Sequence, residues 1–313
     1  MTRVLFTGGG TAGHVTPNIA LIEEAEKRGW QIDYAGSHEG IEREMIERLD
    51  IAYHSVASGK LRRYFSWENF VDPFRILLGI VQAFMLLGKL APDVVFSKGG
   101  FVAVPVVVAA WLRRIPVISH ESDVTPGLAN RLTYPFCRRI CVTFDASLPH
   151  LPAGKVLVTG TPVRASIACG NAERGRRFLG IGSDKPLLLV FGGSLGADKI
   201  NRQLRSVLDS LLESFNIIHV TGRGNADTSL DQPGYIQKEF IDDEFGDVLA
   251  AAELVISRAG ANSLYELFLL RKPHLLIPLG IGASRGDQLV NAATFEREGF
   301  SCVLHEENLD NDT

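Results

Sequence analysis

Thr7-Gly8-Gly9-Gly10-Thr11-Ala12-Gly13-His14 follows the short apolar run that ends at Phe6, and Phe191-Gly192-Gly193-Ser194-Leu195-Gly196-Ala197 follows Leu187-Leu188-Leu189-Val190. Each stretch reads as a turn from a buried strand into a helix. Glycine at such a turn lets backbone N–H groups approach an anion without a Cβ in the way, and the helix N-terminus that follows adds partial positive charge. Two such turns about half a chain apart predict two open α/β domains with a ligand-binding cleft between them.

The rest of the composition fits that division. A chain of 313 residues is long for one compact α/β domain and comfortable for two of roughly 150. With 46% hydrophobic residues it can fill two cores, and its 31 glycines suit many tight strand–helix turns. The formal net charge of −4 lacks the basic footprint of a nucleic-acid binder, so no nucleic-acid partner is expected and an anionic ligand must be held locally. The four cysteines, Cys137, Cys141, Cys169 and Cys302, include one close pair with no second pair to match it, so neither a metal site nor a disulfide framework is expected. Met1 leads straight into a strand without a basic flank, apolar segment or cleavage site, which predicts no signal peptide and a reduced, cytoplasmic setting. The longest apolar stretch, 76–87, contains Gly79 and Gln82 and falls short of the roughly 20 residues that span a bilayer. No membrane crossing is expected from it.

Buried-strand patterns recur at Arg3–Thr7, 31–35, Val94–Ser97, 117–120 and 140–142, separated by helical stretches such as 17–28. Alternation of this kind implies a parallel sheet. Residues 156–159 lead into Gly160-Thr161-Pro162, a turn-rich break that places the domain boundary there and gives domains 1–161 and 162–313. The second half repeats the alternation with strands at Leu187–Phe191, 217–221, Leu254–Ser257 and 274–278 and helices at 199–214 and 262–270. Both halves therefore read as α/β, doubly wound and Rossmann-like. The acidic ending 306–313 stops where such a domain usually continues with more helix.

Gly8, Gly10 and Gly13 also fit the dinucleotide fingerprint, with Asp33 about 20 residues on, which alone would suggest a dehydrogenase. Against that, Asp33 sits in mid-strand, His14 occupies the helix start, and hydride transfer leaves the second glycine loop unexplained. A histidine in His14's position can merely cap its helix, or it can serve as base or hydrogen-bond donor near neutral pH. Ser257-Arg258-Ala259-Gly260-Ala261-Asn262 follows a strand and opens a helix, and Glu266 falls one turn inside it. A carboxylate there can grip both hydroxyls of a ribose, although first-turn glutamates also occur simply because the helix dipole favours them. Gly286-Asp287-Gln288-Leu289-Val290-Asn291 offers carboxylate and amide groups suited to sugar hydroxyls.

Taken in order, Gly9-Gly10-Thr11-Ala12-Gly13-His14-Val15-Thr16-Pro17, His120-Glu121 with Asn130, Gly160-Thr161-Pro162-Val163-Arg164, Gly192-Gly193-Ser194-Leu195-Gly196-Ala197, Ser257-Arg258-Ala259-Gly260 and Asp287-Gln288 with Asn291 resemble the MurG family. These are bacterial transferases of glycosyltransferase family 28, within the GT-B superfamily, that add N-acetylglucosamine to lipid I to give lipid II. The resemblance runs from the first strand to about Leu304. It implies a GT-B fold, with the lipid-linked acceptor on the N-terminal domain and UDP-N-acetylglucosamine on the C-terminal domain.

On the donor side the resemblance implies diphosphate contacts from Gly193 and Ser194, a ribose ligand in Glu266, and a cover for uracil in Phe240 and Ile241. Ala261, Asn262, Asp287 and Gln288 fall where the family contacts sugar and diphosphate, and Arg164 where it places an arginine at the domain junction. On the acceptor side it implies Gly9, Gly10, Thr11, Gly13, His14, Asp123 and Asn130. His14 and Glu121 are the catalytic candidates, with His14 favoured over Glu121 and Asp123 as base. Two departures stand out: family members often read His-Glu-Gln-Asn and Gln-Gln where this chain has His120-Glu121-Ser122-Asp123 and Asp287-Gln288.

The implied reaction is attack of the C4 hydroxyl of a muramoyl residue on C1 of the donor sugar, with inversion and loss of UDP. The second glycine loop would stabilise the leaving-group charge. No Asp-x-Asp signature appears near it, so no metal and no cofactor are expected. A lipid acceptor calls for an anionic membrane surface, and residues 60–67, followed by Phe70, Phe74 and the 76–87 run, mix cations with apolar groups as an interfacial site does; docking is expected through 60–67, while the 76–87 run taken alone reads rather as a buried helix. The expected location is peripheral, on the cytoplasmic face of the cell membrane. A related transferase acting on diacylglycerol, or a nucleotide-sugar-binding protein without turnover, are the other readings.

Overall fold

The computed structural model describes residues 1–59, 68–182, 184–193, 196–281 and 286–309, with backbone alone for 68–71. Ser194 and residues 60–67, both singled out from the sequence, lie outside the described residues. Two compact units are present, Met1–Arg164 and Ala165–Thr313.

The strands of the first unit are β1 Arg3–Thr7, β2 Gln31–Gly36, β3 Ala52–Ser55, β4 Val94–Ser97, β5 Val117–Glu121, β6 Arg139–Val142 and β7 Val156–Val158. They form one sheet in the order β3-β2-β1-β4-β5-β6-β7, and every pairing is parallel. Its helices are α1 Ala12–Lys27, α2 Ile41–Glu47, α3 Glu68–Leu90, α4 Ala103–Leu112 and α5 Leu128–Thr133. Leu5, Val95, Val106, Val107 and Ile140 are fully buried in one core, while Val15, Ile22, Tyr34 and Ile46 fill another cluster of the same unit.

The second unit carries the short helix α6 Ala165–Ala168 and then α7 Ala172–Leu179, β8 Leu187–Phe191, α8 Asp198–Ser206, α9 Leu208–Ser214, β9 Asn216–Val220 and β10 Tyr235–Lys238. It continues with α10 Phe245–Ala251, β11 Leu254–Ser257, α11 Ala261–Leu269, β12 His274–Leu276, α12 Asp287–Arg297 and β13 Cys302–Val303. These strands are again all parallel, in the order β10-β9-β8-β11-β12-β13.

The strand order reverses between β1 and β4 in one sheet and between β8 and β11 in the other. A crevice opens at the carboxyl ends of strands at such a point, where open α/β sheets hold their ligands. Each glycine-rich turn follows the strand that borders its reversal.

Three strands escape the sequence pattern. β3 is a half-exposed edge strand, β10 alternates weakly, and β13 has two residues, so none carries the apolar run of a central strand. The helix expected over 199–214 is two helices, because Val207 leaves helical geometry at φ −113° and ψ 14°. α3 is longer than the 76–87 run suggested, and its Asp72–Leu90 portion is long and apolar enough to cross a bilayer. Yet Ala83, Leu87 and Leu90 on one face are buried in the first unit's core, and the Gln82 side chain accepts the Ala57 N–H at 2.7 Å. The opposite face exposes Phe74, Leu77, Leu78, Val81 and Met85.

Candidate active site

The first glycine turn is braced from every side. Tyr34 O–H donates to the Gly8 carbonyl at 2.8 Å, Gly9 N–H to the Gly99 carbonyl at 3.3 Å, and Gly10 N–H to Glu42 Oε2 at 3.1 Å. Gly100, at φ +81°, must lack a Cβ because one would collide with the Gly9 carbonyl. At the start of α1, His14 Nδ1 lies 3.0 Å from the Gly9 carbonyl and 3.1 Å from Thr11 Oγ1. A carbonyl oxygen only accepts, so Nδ1 carries the proton and the Nε2 lone pair is the basic one. Thr11 and Gly13 complete the turn.

Glu121 ends β5 and is buried. Its carboxylate accepts Asp123 N–H at 3.1 Å, Gly127 N–H at 3.0 Å and Asn130 Nδ2 at 2.9 Å. It thus pins the loop that carries Asp123 onto α5, where Asn130 is itself buried with Oδ1 facing Gly99. Beside it, His120 Nε2–H donates to the Gly160 carbonyl at 2.8 Å. Burial, with the Lys98 charge nearby, pushes His120 down to about 3, so the ring is neutral. Lys98 is wholly buried, donates to Ser122 Oγ at 2.5 Å, and is pushed down to about 8 by burial against the opposing pull of Glu121 and Asp123.

Asp33, the acid of the dinucleotide pattern, is consumed within the fold. Arg3 Nε lies 2.9 Å from one oxygen and His54 Nε2 2.8 Å from the other, and although burial opposes it these two partners hold the carboxyl below its usual range. A ribose cannot use it.

In the second unit a cleft of about 1410 Å³ is lined by Gly193, Lys199, Arg258, Gln288 and Glu306 among others. Gly193 at φ +89° and Gly196 at φ +76° need glycine, and a Cβ on Gly196 would also collide with the Thr221 carbonyl. That carbonyl accepts Asn201 Nδ2 at 2.9 Å, and Asn201 Oδ1 in turn meets His219 Nε2 at 2.9 Å. His219 Nδ1 lies 2.8 Å from the Tyr235 hydroxyl. Burial, with Arg205 adding to it, pushes His219 down to about 4. The donors therefore run Tyr235 O–H to Nδ1, Nε2–H to Asn201, and Asn201 to the backbone beneath the glycine loop.

Arg258 Nη1 holds the Ile277 carbonyl at 3.1 Å while Nη2 meets Glu306. Gln288, on α12, accepts Leu279 N–H at 3.0 Å, and Asn291 donates to the Ala259 carbonyl at 3.3 Å, so the loops after β11 and β12 are tied together. Asp287 opens α12 and Ala261 and Asn262 open α11, with Glu266 buried one turn further on. Ile241 is buried and Phe240 exposes its ring. Arg164 is the last residue of the first unit. Among the described residues no three His, Cys, Asp or Glu side chains gather to hold a metal.

The sequence reading missed Glu42, Lys98, Asn201, His219, Tyr235 and Glu306 as parts of these sites. Each looks like an ordinary polar residue until folding packs it against its partners.

A model of the Glycosyltransferase family 28 N-terminal domain matches residues 4–142, and one of the family 28 C-terminal domain matches residues 187–313. The UDP-N-acetylglucosamine–N-acetylmuramyl-(pentapeptide) pyrophosphoryl-undecaprenol N-acetylglucosamine transferase of Clostridium botulinum is 54% identical across all of this chain and 89% of its own length. Its Legionella pneumophila namesake is 57% identical over 98% of this chain and 85% of its own. The crystal structure of Acinetobacter baumannii MurG superposes with a TM-score of 0.76 at 25% identity, covering 100% of this chain and 88% of that one. With both domain models matched in order and relatives more than half identical along its whole length, this chain belongs to glycosyltransferase family 28 and has the GT-B fold.

Proposed function

We propose that this chain transfers N-acetylglucosamine from UDP-N-acetylglucosamine to the C4 hydroxyl of a lipid-linked N-acetylmuramoyl-pentapeptide diphosphate, forming lipid II with inversion at C1. The observation that carries the reading, beside the named relatives, is the His14 imidazole held as its Nδ1–H form at the first glycine turn. His14 Nε2 takes the proton of the attacking hydroxyl as the new bond to C1 forms and the bond from C1 to the diphosphate oxygen breaks. UDP leaves with the electron pair. The N–H groups of the second glycine loop and the start of α8 stabilise its charge, a contribution already oriented before reaction. Glu266 takes the ribose hydroxyls, Gln288 and Asp287 the sugar, and Ile241 with Phe240 the uracil. Glu121 serves by holding the Asp123–Asn130 loop against the acceptor, since its oxygens already receive three donors.

The acceptor's lipid brings the enzyme to a membrane. The apolar face of α3, with Trp111 and Leu112 exposed at the end of α4, is flanked by Lys89, Arg113 and Arg114. Arg113 stacks over Phe84 with its guanidinium carbon 4.0 Å from the ring centroid. Apolar side chains ringed by cations suit peripheral docking on anionic lipid at the cytoplasmic face.

The test is transfer of radiolabelled N-acetylglucosamine to a lipid-linked muramoyl diphosphate in detergent, with diacylglycerol as the competing acceptor. Wild type labels the diphosphate acceptor, and His14→Ala lowers kcat about a hundredfold or more, the usual range for losing a general base. Labelling of diacylglycerol alone would replace the acceptor, and a near-normal kcat in His14→Ala would remove the base.

A further inference from the structure

The Gly9 carbonyl and the Gly10 N–H belong to one peptide group. No cis peptide occurs among the described residues, Gly9 and Gly10 included, so the two point in opposite directions. On one side Gly10 N–H donates to Glu42 Oε2 at 3.1 Å, and on the other the Gly9 carbonyl accepts His14 Nδ1–H at 3.0 Å. Glu42 comes from α2 and is fully buried. Its second oxygen accepts both the Ser37 N–H at 3.2 Å and the Ser37 hydroxyl at 2.5 Å. The carboxylate packs directly against Gly9 and Gly40, so that a Cβ on either would meet it and force it to move. Burying a carboxylate is costly unless donors meet it, and here the backbone and Ser37 do.

Thr11 Oγ1, 3.1 Å from Nδ1, can donate or accept and so serves either tautomer of His14. The Gly9 carbonyl serves only one. Whatever orients the Gly9–Gly10 peptide therefore decides which ring nitrogen is basic. A carboxylate on the N–H end also polarises the peptide and makes its carbonyl a stronger acceptor.

We propose that Glu42 is a positioning residue for the transfer, acting through the Gly9–Gly10 peptide to hold His14 as the Nδ1–H tautomer with Nε2 as the base. This rests on the reading of His14 as the base. It places a carboxylate, a peptide group and an imidazole in series, so that the charge of Glu42 reaches His14 without touching it. As Nε2 gains the acceptor's proton, the imidazolium keeps its Nδ1–H bond to a carbonyl already strengthened from behind.

Nitrogen-15 NMR of the histidine rings in the full chain reads the tautomer directly, with His14→Gln identifying the His14 signals. Neutral His14 is expected as Nδ1–H in wild type. In Glu42→Gln, whose amide cannot accept at both oxygen positions, the Nε2–H form should rise and kcat for the lipid-linked acceptor should fall about tenfold, with the KM for UDP-N-acetylglucosamine within about twofold. An unchanged tautomer, or a shifted tautomer with unchanged kcat, overturns the proposal. Should Glu42→Gln fail to fold, Ser37→Ala removes one donor to the same carboxylate and should give a smaller shift of the same sign; an unchanged ring in that folded variant is equally fatal. If wild type transfers to no acceptor, the base assignment fails, while the NMR comparison still decides whether Glu42 governs His14.

Discussion

Arg258 Nη2 and Glu306 Oε1 are 2.5 Å apart, both nearly buried, and join the loop after β11 to the last described turn of the second unit. Lys199 adds a second cation 3.5 Å from the other carboxylate oxygen. Burial raises the Glu306 carboxyl, but Arg258 and Lys199 outweigh it and the net shift is downward. A carboxyl lowered on folding stabilises the protein above its unfolded value of 4.5 and loses that contribution as pH falls through its lower folded value. Glu306→Gln should cost about 2 kcal/mol at pH 7 in urea unfolding, and the difference from wild type should shrink below pH 4.5. A difference that stays constant down to pH 3 would show that the charge of Glu306 is immaterial.

Lys98 makes the opposite kind of prediction. Its folded value of about 8 lies below the ordinary 10.5, because burial penalises the ammonium. Between these two values the unfolded chain binds more protons, so stability should rise with pH across that window. Lys98→Met removes the charge while keeping an unbranched chain, and its stability should lack this rise. Parallel pH profiles of wild type and Lys98→Met would place the buried charge elsewhere.

Glu266 is proposed to hold the ribose of the donor. Losing two hydrogen bonds to a carboxylate should weaken UDP binding about tenfold to a hundredfold in Glu266→Ala, measured by isothermal titration. Because the carboxylate is buried on α11, circular dichroism must accompany the titration, and a folded variant with unchanged affinity would remove Glu266 from the site.

The exposed face of α3 is proposed to meet lipid. Leu77→Asp combined with Val81→Asp places two charges on that face without touching Ala83, Leu87 or Leu90 in the core. Sedimentation with vesicles containing anionic lipid should fall about tenfold or more, with transfer to a soluble acceptor analogue unchanged. Binding that persists would move the docking surface elsewhere.

Both glycine turns and the parallel α/β plan are legible in the linear chain because they depend on local rules. A run such as Leu187-Leu188-Leu189-Val190 belongs in a strand buried on both faces, and Gly193 and Gly196 mark backbone conformations that other residues avoid. The helix positions of His14 and Glu266 are equally readable, since each sits at a fixed offset from the start of its helix. The edges were less so. β3 and β13 are short and partly exposed, and no hydrophobic period announces them.

What surrounds those motifs was decided only by folding. Asp33 passes for a ribose ligand in sequence, and only the approach of Arg3 and His54 across the sheet turns it into an internal ion-pair partner. Glu42, 32 residues from Gly10, reads as an exposed helix glutamate until α2 packs its carboxylate beneath the first turn. His219 and Asn201 meet only because β9 lies beside β8, the strand whose turn leads into α8. The sequence by itself determined where the glycine turns fall between strand and helix, because that is a matter of missing Cβ atoms and local torsions. Tertiary structure alone decided which distant side chains fix those turns and set their protonation, because burial and hydrogen-bond partners arise only when separate elements pack together.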